Sequence, residues 1–318
     1  MRKFGILHRI YSCVLICSLL TLTGCSNENE SLIEKQSVEM QATEDITQKA
    51  ETLTEENQEI ITEPTITEVD LSNYFDGISG AAVIYDPAGN CYQIYNQELA
   101  LTQRSPCSTF KIISALIALE NGIIEPDNSI RTWSGEIFSI DEWNADIDFS
   151  DAFRSSCVWY FREVIDEIGK DVVQEELNRL EYGNCDISDW DGRRNTNTNN
   201  LVLTGFWIES TLSISPKEQV EVMERIFGDN TDYSEETLEQ LKQVMLLSEQ
   251  SEADISIYGK TGMGMSYSTV VDSWYTGFAD AFDKRIYFCV YLGETYNKDV
   301  SSAKAREIAI KVIPEYFK

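Results

Sequence analysis

The sequence predicts an α/β (α+β) fold in which an antiparallel sheet, built from both ends of the chain, is flanked by helices. Strand-like runs lie near the start and near the end of the predicted domain, and the helical patterns between them predict an inserted all-helical subdomain. Hydrophobic residues make up 42% of the 318 residues, which is enough to bury a core and excludes a wholly disordered chain.

The first predicted element of the domain is a β-hairpin. Residues 79–85 and 91–95 are short apolar runs, and residues 86–90 between them have the composition of a turn. A helix predicted over 109–121 is apolar nearly all round, and Gly122 is expected to cap its C-terminus. Because a helix that is apolar on every side needs to be covered on every side, we expect this one in the core.

Further helices and three strands complete the predicted domain. Helical patterns cover 148–169, 171–181, 216–227 and 234–248. Strand-like runs then cover 255–258, 270–278 and 286–292, with a turn at Asp283-Lys284, and a helix is predicted over 301–316. The late strands are expected to join the early hairpin in one sheet.

The N-terminus has the composition of a targeting segment. Three basic residues lie before an apolar run over 10–22, which is too short to span a membrane as a helix. The run ends in the sequence L-T-G-C at Cys25, which resembles the lipobox of bacterial lipoproteins. The resemblance implies a lipoprotein signal peptide over 1–24, lipidation of Cys25 and an extracytoplasmic protein that is lipid-anchored to the cell membrane. The alternative is an ordinary secretory signal with a chance cysteine.

A strongly acidic segment follows the predicted signal. Residues 26–76 contain 14 acidic residues against two lysines, and no hydrophobic period persists. This composition predicts a flexible linker over 25–76, followed by a domain over 77–318. The formal charge of the whole chain is −29, so we expect no nucleic-acid partner, because no basic surface is available to neutralise phosphates.

The chain contains a single histidine, His8, which lies in the predicted signal peptide. The mature protein would therefore have no imidazole for a Ser-His-Asp or Cys-His mechanism, and none for a zinc site. The cysteines of the predicted domain show no C-x-x-C spacing, so no metal site is predicted. These cysteines are Cys91, Cys107, Cys157, Cys185 and Cys289.

One candidate catalytic motif is Ser108-x-x-Lys111. The spacing puts the amine of Lys111 one helical turn from the hydroxyl of Ser108, so the motif supplies a nucleophile beside a base. Taken alone, the motif could equally be an ordinary start of a helix. The apolar neighbours favour function, because a buried lysine without a task is costly.

Two further motifs follow in the sequence. Lys260-Thr261-Gly262 ends a predicted strand and could form one wall of a substrate cleft, with the glycine allowing close backbone approach. Ser156-x-Val158 lies in a predicted loop between helical patterns. A solvated lysine at a strand exit and a simple helix cap are the structural alternatives. Ser-x-x-Lys, then Ser-x-Val, then Lys-Thr-Gly, in that order along the chain and over about 150 residues, are hard to produce by accident.

This set of motifs resembles the penicillin-interacting serine enzymes, and its details resemble class D (oxacillinase-type) serine β-lactamases. Residues 106–111 (PCSTFK) are similar to the P-x-S-T-F-K segment of that class, and residues 156–158 to its Ser-x-Val, where transpeptidases have Asn in the third place. Residues 182–184 (YGN) and 206–216 (FWIESTLSISP) are also similar to segments of the class. The resemblance covers about residues 77–318.

The resemblance implies hydrolysis of β-lactams through an acyl-enzyme on Ser108. It implies no diffusible cofactor, but carbon dioxide or bicarbonate held as a carbamate on Lys111 (N6-carboxylysine), which would act as general base in acylation and deacylation. Val158 would keep the surrounding pocket apolar, and Trp207 would donate its indole N–H to the carbamate. Ser156 would relay a proton towards the leaving nitrogen.

The resemblance also implies a set of substrate-binding residues on the K-T-G segment and on the last helix. They are Lys260, Thr261, Gly262, Met263 and Arg306. Lys260, Thr261 and Arg306 would hold the carboxylate of the drug, and the backbone N–H groups of Ser108 and Met263 would form the oxyanion hole.

Two features depart from the pattern of the class or leave it open. The polar segment over 185–205 is longer than the usual link, and we expect it to be a surface loop near the rim of the cleft. Cys107 and Cys157 flank the motifs and could form a disulfide or remain two packed thiols.

Three other functions are compatible with parts of the sequence. A penicillin-sensing receptor domain acylates without turnover, but such receptors carry several membrane helices and an H-E-x-x-H protease, and the sequence contains neither. A cell-wall D,D-peptidase or transpeptidase would have Asn in place of Val158. A non-catalytic binding lipoprotein would not need Ser108, Lys111 and Lys260 together.

Overall fold

The computed structural model describes residues 63–247, 255–296, 298 and 300–318. In this part of the chain the strands are β1 (Thr65–Glu68), β2 (Gly80–Asp86), β3 (Cys91–Tyr95), β4 (Ile255–Ser266), β5 (Thr269–Ala281) and β6 (Lys284–Gly293). They form one sheet with the order β1-β3-β2-β6-β5-β4. The fold class predicted from the sequence is confirmed, since β2 from the beginning of the domain pairs with β6 from its end.

Nine α-helices lie within the described residues. They are α1 (Ser72–Phe75), α2 (Gln97–Ala100), α3 (Lys111–Glu120), α4 (Phe149–Arg154), α5 (Val158–Ile168), α6 (Lys170–Arg179), α7 (Pro216–Phe227), α8 (Glu235–Met245) and α9 (Ser302–Val312). Short 3₁₀ helices cover Cys107–Phe110, Pro126–Asn128, Asp141–Trp143, Leu201–Leu203 and Ile313–Phe317.

The sheet separates two hydrophobic clusters. Along β2 the residues alternate between them, with Val83 in the larger cluster and Ala82 and Ile84 in the smaller one. This alternation follows from the two-residue period of a strand. Residues of α9 and α1 cover the smaller cluster, whereas the helices between β3 and β4 build the larger one. Apart from the polar residues Lys111 and Ser114, all buried residues of α3 lie in the larger cluster, as the apolar composition of the helix predicts.

The predicted boundary between linker and domain at residue 77 lies too late. The compact unit begins at Glu63, because β1 pairs in parallel with β3 and Phe75 of α1 is fully buried in the smaller cluster. The residues of β1 are all exposed, so this edge strand leaves no hydrophobic pattern in the sequence. The predicted signal peptide, the lipidation site Cys25 and the linker as far as residue 62 lie outside the described residues.

Three predicted elements have different boundaries in the structure. The helix predicted over 148–169 is interrupted between α4 and α5, because Ser156 adopts a left-handed conformation with φ +60°. The helix predicted from 109 begins as a 3₁₀ turn. The K-T-G motif lies inside β4 and not at its end, since Lys260 pairs with Thr276 of β5.

Two sequence predictions concern membranes and metals. Among the helices of the described residues, none is long and apolar enough to cross a membrane. In the same part of the chain, no group of three or more His, Cys, Asp or Glu residues is arranged to hold a metal ion.

Of the two states left open for Cys107 and Cys157, the structure shows the packed thiols, since both cysteines are buried and unpaired.

Candidate active site

The candidate nucleophile lies in a strained turn. Ser108 is the second residue of the 3₁₀ helix that leads into α3, and it is half-buried. The preceding residue, Cys107, has φ +49°, which is rare for a residue with a side chain. Its backbone N–H donates a hydrogen bond of 2.9 Å to the carbonyl oxygen of Trp207. Such strain persists only where the surroundings hold it, and it is common at functional sites.

Lys111 is the first residue of α3 and has no exposed surface. Its Nζ donates a hydrogen bond of 3.0 Å to Oγ of Ser108 and lies 5.5 Å from the centre of the Phe161 ring. Burial lowers the pKa of the amine from 10.5 to about 8. A substantial fraction of the amine is therefore neutral near physiological pH, so Lys111 can accept a proton from the serine that it contacts.

Apolar side chains also pack close to the start of α3. The rings of Phe110 and Trp207 stack with their centroids 5.7 Å apart, and Trp207 is 1% exposed. Val158 begins α5 and packs against the same hydrophobic cluster. A neutral amine in an apolar pocket has the chemistry that carbamate formation needs, so the residues present fit a bound carbon dioxide.

A second buried lysine faces the nucleophile turn from the sheet. Lys260 is 4% exposed, and its Nζ donates hydrogen bonds to Oγ of Ser156 (2.6 Å) and to the carbonyl oxygen of Thr261 (3.1 Å). Burial and, to a smaller extent, the nearby positive charges of Lys111 and Arg306 hold its pKa well below the usual range. Ser156, at the break between α4 and α5, is therefore in direct proton-transfer contact with a lysine.

Strand β4 approaches the nucleophile turn very closely. A Cβ atom on Gly262 would lie 2.9 Å from the carbonyl oxygen of Pro106 and 2.9 Å from Cγ2 of Thr109. Only glycine allows this approach, because real Cβ contacts are almost never so short. Met263, the next residue, is 44% exposed. Its backbone N–H as part of the oxyanion hole stays a prediction.

A cavity of about 180 Å³ lies beside Lys260. Lys260, Thr261 and Arg306 line it together with Phe153 and Tyr275. The structure thus brings three of the predicted substrate-binding residues, from β4 and α9, to one cavity. Arg154 lines the cavity as well, and the guanidinium groups of Arg154 and Arg306 suit an anionic group of a small molecule.

The long polar segment reaches the tip of the β4–β5 hairpin. The Asn197 side chain donates a hydrogen bond to the carbonyl oxygen of Met265 and accepts one of 3.1 Å from the N–H of Tyr267. At the same end of the segment, Asn200 donates a hydrogen bond of 2.5 Å to Glu136. These contacts tie the segment to two other loops.

Sequence reasoning missed two carboxylic acids next to the nucleophile turn. Oε1 of Glu209 accepts a hydrogen bond of 3.3 Å from the thiol of Cys107, and Asp272 of β5 is 6% exposed. Burial is the main cause that raises the pKa of both acids, to about 7 for Glu209. The only sequence signal for either acid was the glutamate in the run FWIES at residues 206–210.

Comparison with known proteins places the chain in a family. Residues 80–313 match the family described as penicillin binding protein transpeptidase domain. Over 247 residues the chain is 32% identical to the regulatory protein BlaR1 of Bacillus licheniformis, a match that covers 77% of this chain and 38% of that protein. Over 246 residues it is 30% identical to β-lactamase OXA-1 of Escherichia coli, with 76% and 86% covered.

A solved structure gives the same result. The C-terminal domain of the Bacillus licheniformis BlaR penicillin receptor is similar with a TM-score of 0.69 and 30% identity, over 81% of this chain and 98% of that domain. The chain spans 38% to 39% of the length of the regulatory relatives that it matches. The chain therefore belongs to the penicillin-binding transpeptidase-domain family, in which its relatives include both β-lactamases and penicillin receptors.

Proposed function

We propose that this protein is a class D β-lactamase that hydrolyses penicillins through an acyl-enzyme on Ser108 and so gives antibiotic resistance. The observation that carries the proposal is the contact of 3.0 Å between Nζ of the fully buried Lys111 and Oγ of Ser108. An amine with a lowered pKa next to a serine hydroxyl is an activated nucleophile without histidine. Cephalosporins and carbapenems are the further substrates to test.

In the acylation step Oγ of Ser108 attacks the carbonyl carbon of the β-lactam while its proton passes to Lys111. The negative charge on the carbonyl oxygen is stabilised by the backbone N–H groups of Ser108 and Met263. The leaving nitrogen receives a proton from Ser156, which is resupplied by Lys260 across their hydrogen bond of 2.6 Å.

Carbon dioxide, when bound to Lys111 as a carbamate, supplies an anionic base in the pocket. The lowered pKa of Lys111 supports this proposal, because only the neutral amine reacts with carbon dioxide. Val158 keeps the pocket apolar, and the indole N–H of Trp207 is the donor that would hold the added group. With carbon dioxide bound, Lys111 would supply the base for the water that hydrolyses the acyl-enzyme.

The substrate is held by its carboxylate. Lys260, Thr261 and Arg306 line one cavity. The guanidinium group of Arg306 attracts an anion, and the amine of Lys260 and the hydroxyl of Thr261 can donate hydrogen bonds to it. Gly262 lets β4 lie against the nucleophile turn, so the bound carboxylate lies near the reacting serine. We further propose that the protein works outside the cytoplasm, held at the membrane through lipid on Cys25.

A penicillin sensor is the second candidate, favoured by the identity of 32% to BlaR1. Such a domain would use the same Ser108 to form an acyl-enzyme but would deacylate very slowly. The two functions share every step up to the acyl-enzyme, so only the rate of the last step separates them.

Mass spectrometry of the purified protein mixed with benzylpenicillin, at intervals and with or without added bicarbonate, tests the proposal. A transient acyl adduct with continued production of penicilloic acid, faster with bicarbonate, supports a β-lactamase. An adduct that persists without turnover supports the sensor, and the absence of both an adduct and penicilloic acid refutes both functions. Ser108→Ala is the control that must form no adduct.

A further inference from the structure

Glu209 lies at a junction between the nucleophile turn and the segment that carries Trp207. Its carboxyl accepts a hydrogen bond of 3.3 Å from the thiol of Cys107, and its backbone N–H donates one of 2.9 Å to Oγ of Ser105. Glu209 itself has φ +49°, the same left-handed conformation as Cys107. Two strained residues from segments 102 positions apart are thus joined through their side chains.

Two more hydrogen bonds join the same segments. Oγ of Ser105 donates to the carbonyl oxygen of Trp207 at 3.0 Å, and the backbone N–H of Cys107 donates to the same oxygen at 2.9 Å. These bonds use the backbone of Trp207, whereas the bond between Cys107 and Glu209 joins two side chains. It is therefore the bond that a substitution can remove without disturbing the others.

The Glu209 carboxyl has no room to move towards β4. A Cβ atom on Gly264 would lie 1.9 Å from Oε1 of Glu209 and 2.9 Å from Sγ of Cys107. The acid and the thiol are therefore pressed against the strand that also carries the K-T-G motif. A carboxyl in this place can transmit the position of β4 to the turn that holds Ser108.

The charges around Glu209 favour its neutral form. Burial and the Asp272 carboxylate raise its pKa, and burial likewise keeps Cys107 a thiol that can donate. Tyr291 donates a hydrogen bond of 2.7 Å to Asp272, and the positive charge of Arg104 acts on the same carboxyl group. Within the described residues neither acid forms an ion pair. The amide of glutamine has the same shape, is neutral and can accept the same hydrogen bond. It should therefore be able to take the place of the Glu209 carboxyl.

We propose that Glu209 is a positioning residue for the nucleophile: by holding Cys107 in its left-handed conformation, its carboxyl sets the contact between Ser108 and Lys111. The inference rests on the proposed function only in that Ser108 is the residue acylated. Glu209 does not touch the reacting atoms, so it should affect the rate of acylation and leave substrate binding nearly unchanged.

Stopped-flow acylation with a chromogenic cephalosporin tests the proposal, because it separates the acylation rate constant from the dissociation constant of the initial complex. Glu209→Ala should slow acylation about tenfold, the equivalent of one lost hydrogen bond, with less than about a twofold change in the dissociation constant. Glu209→Gln keeps the acceptor for the thiol and should stay within about twofold of the unmodified protein. Glu224→Ala, at another half-buried acid far along the chain on α7, is the control and should change neither constant.

The double variant Cys107→Ala/Glu209→Ala decides whether Glu209 acts through the thiol. If it does, the double variant should be no slower than Cys107→Ala alone, whereas independent roles would multiply the two losses. Acylation of Glu209→Ala at the rate of the unmodified protein would overturn the proposal. So would a Glu209→Gln variant as slow as Glu209→Ala, and this comparison remains available if the alanine variant folds poorly. Failure of the unmodified protein to acylate would instead refute the proposed function.

Discussion

Replacing Lys111 with methionine should make the protein more stable while abolishing turnover. The buried amine costs free energy because its pKa falls from 10.5 in the ordinary state to about 8 in the fold. That difference corresponds to about 3 kcal/mol at pH values below 8, where the amine is protonated in both the folded and the unfolded chain. Methionine has a similar length and no charge, so it removes this cost without leaving a large cavity.

The sign of the pH dependence follows from the two pKa values. Since the folded chain binds its proton less tightly than the unfolded chain, the cost is complete below about pH 8. As the pH rises from 8 towards 10.5 the unfolded chain also loses its proton, and the cost disappears. The stability gap between Lys111→Met and the unmodified protein should therefore fall from about 3 kcal/mol near pH 6.5 to about half of that near pH 9.5.

Urea unfolding in carbon dioxide-free buffer at several pH values measures this gap. Lys311→Met, at a side chain that is 55% exposed, controls for the general effect of removing one lysine. Added bicarbonate should stabilise the unmodified protein but not Lys111→Met, because only a chain with the amine can bind carbon dioxide. A gap that does not change with pH, or a less stable Lys111→Met at every pH, would show that the amine is not desolvated and would remove the physical basis of the proposed base.

Three other substitutions test separate parts of the site. Gly262→Ala should destabilise the fold by about 1–3 kcal/mol and slow acylation, because the added Cβ would press on the carbonyl oxygen of Pro106. Urea unfolding measures the first effect and stopped-flow acylation the second. A variant with unchanged stability and unchanged acylation would contradict the close approach of β4 to the nucleophile turn. Arg306→Gln should raise KM for penicillins about tenfold with little change in kcat, since it weakens a charged contact to the carboxylate of the substrate. Steady-state kinetics in which kcat falls and KM stays unchanged would exclude this role. Val158→Asn should reduce the stimulation of activity by bicarbonate, because a polar amide makes the pocket less apolar and favours the charged form of the Lys111 amine. Activity is titrated against bicarbonate, and a slope equal to that of the unmodified protein would contradict this expectation.

The sheet could be predicted from the sequence because its central strands are short runs of mostly apolar residues. β2 and β6 are buried along most of their length, so both ends of the domain carry a hydrophobic signal. β1 gives no such signal because all four of its residues are exposed and its stability comes from backbone pairing with β3. Similarly, no glycine or proline marks the break at Ser156, whose left-handed conformation depends on tertiary contacts.

The candidate site could be predicted as a set of residues but not as a set of contacts. Ser108 and Lys111 are three positions apart, so local helical geometry alone brings them together. Ser156 and Lys260 are 104 positions apart, and only the packing of the helical subdomain against β4 gives their contact of 2.6 Å. The Glu209 carboxyl could not be assigned a partner, because its neighbours Cys107 and Gly264 lie in two other segments of the chain.

The two buried lysines explain why substrate binding and proton transfer should be coupled in this site. Lys260 loses basicity partly because Lys111 and Arg306 add positive charge around it. A carboxylate that enters the cavity beside Lys260 and Arg306 would offset that charge and raise the pKa of Lys260, since an opposite charge within a few ångströms favours the protonated form. The lysine would then hold a proton for Ser156 only when substrate is bound. A ligand without a carboxylate should therefore acylate Ser108 slowly even where it fits the cleft, because the proton for its leaving nitrogen would be missing.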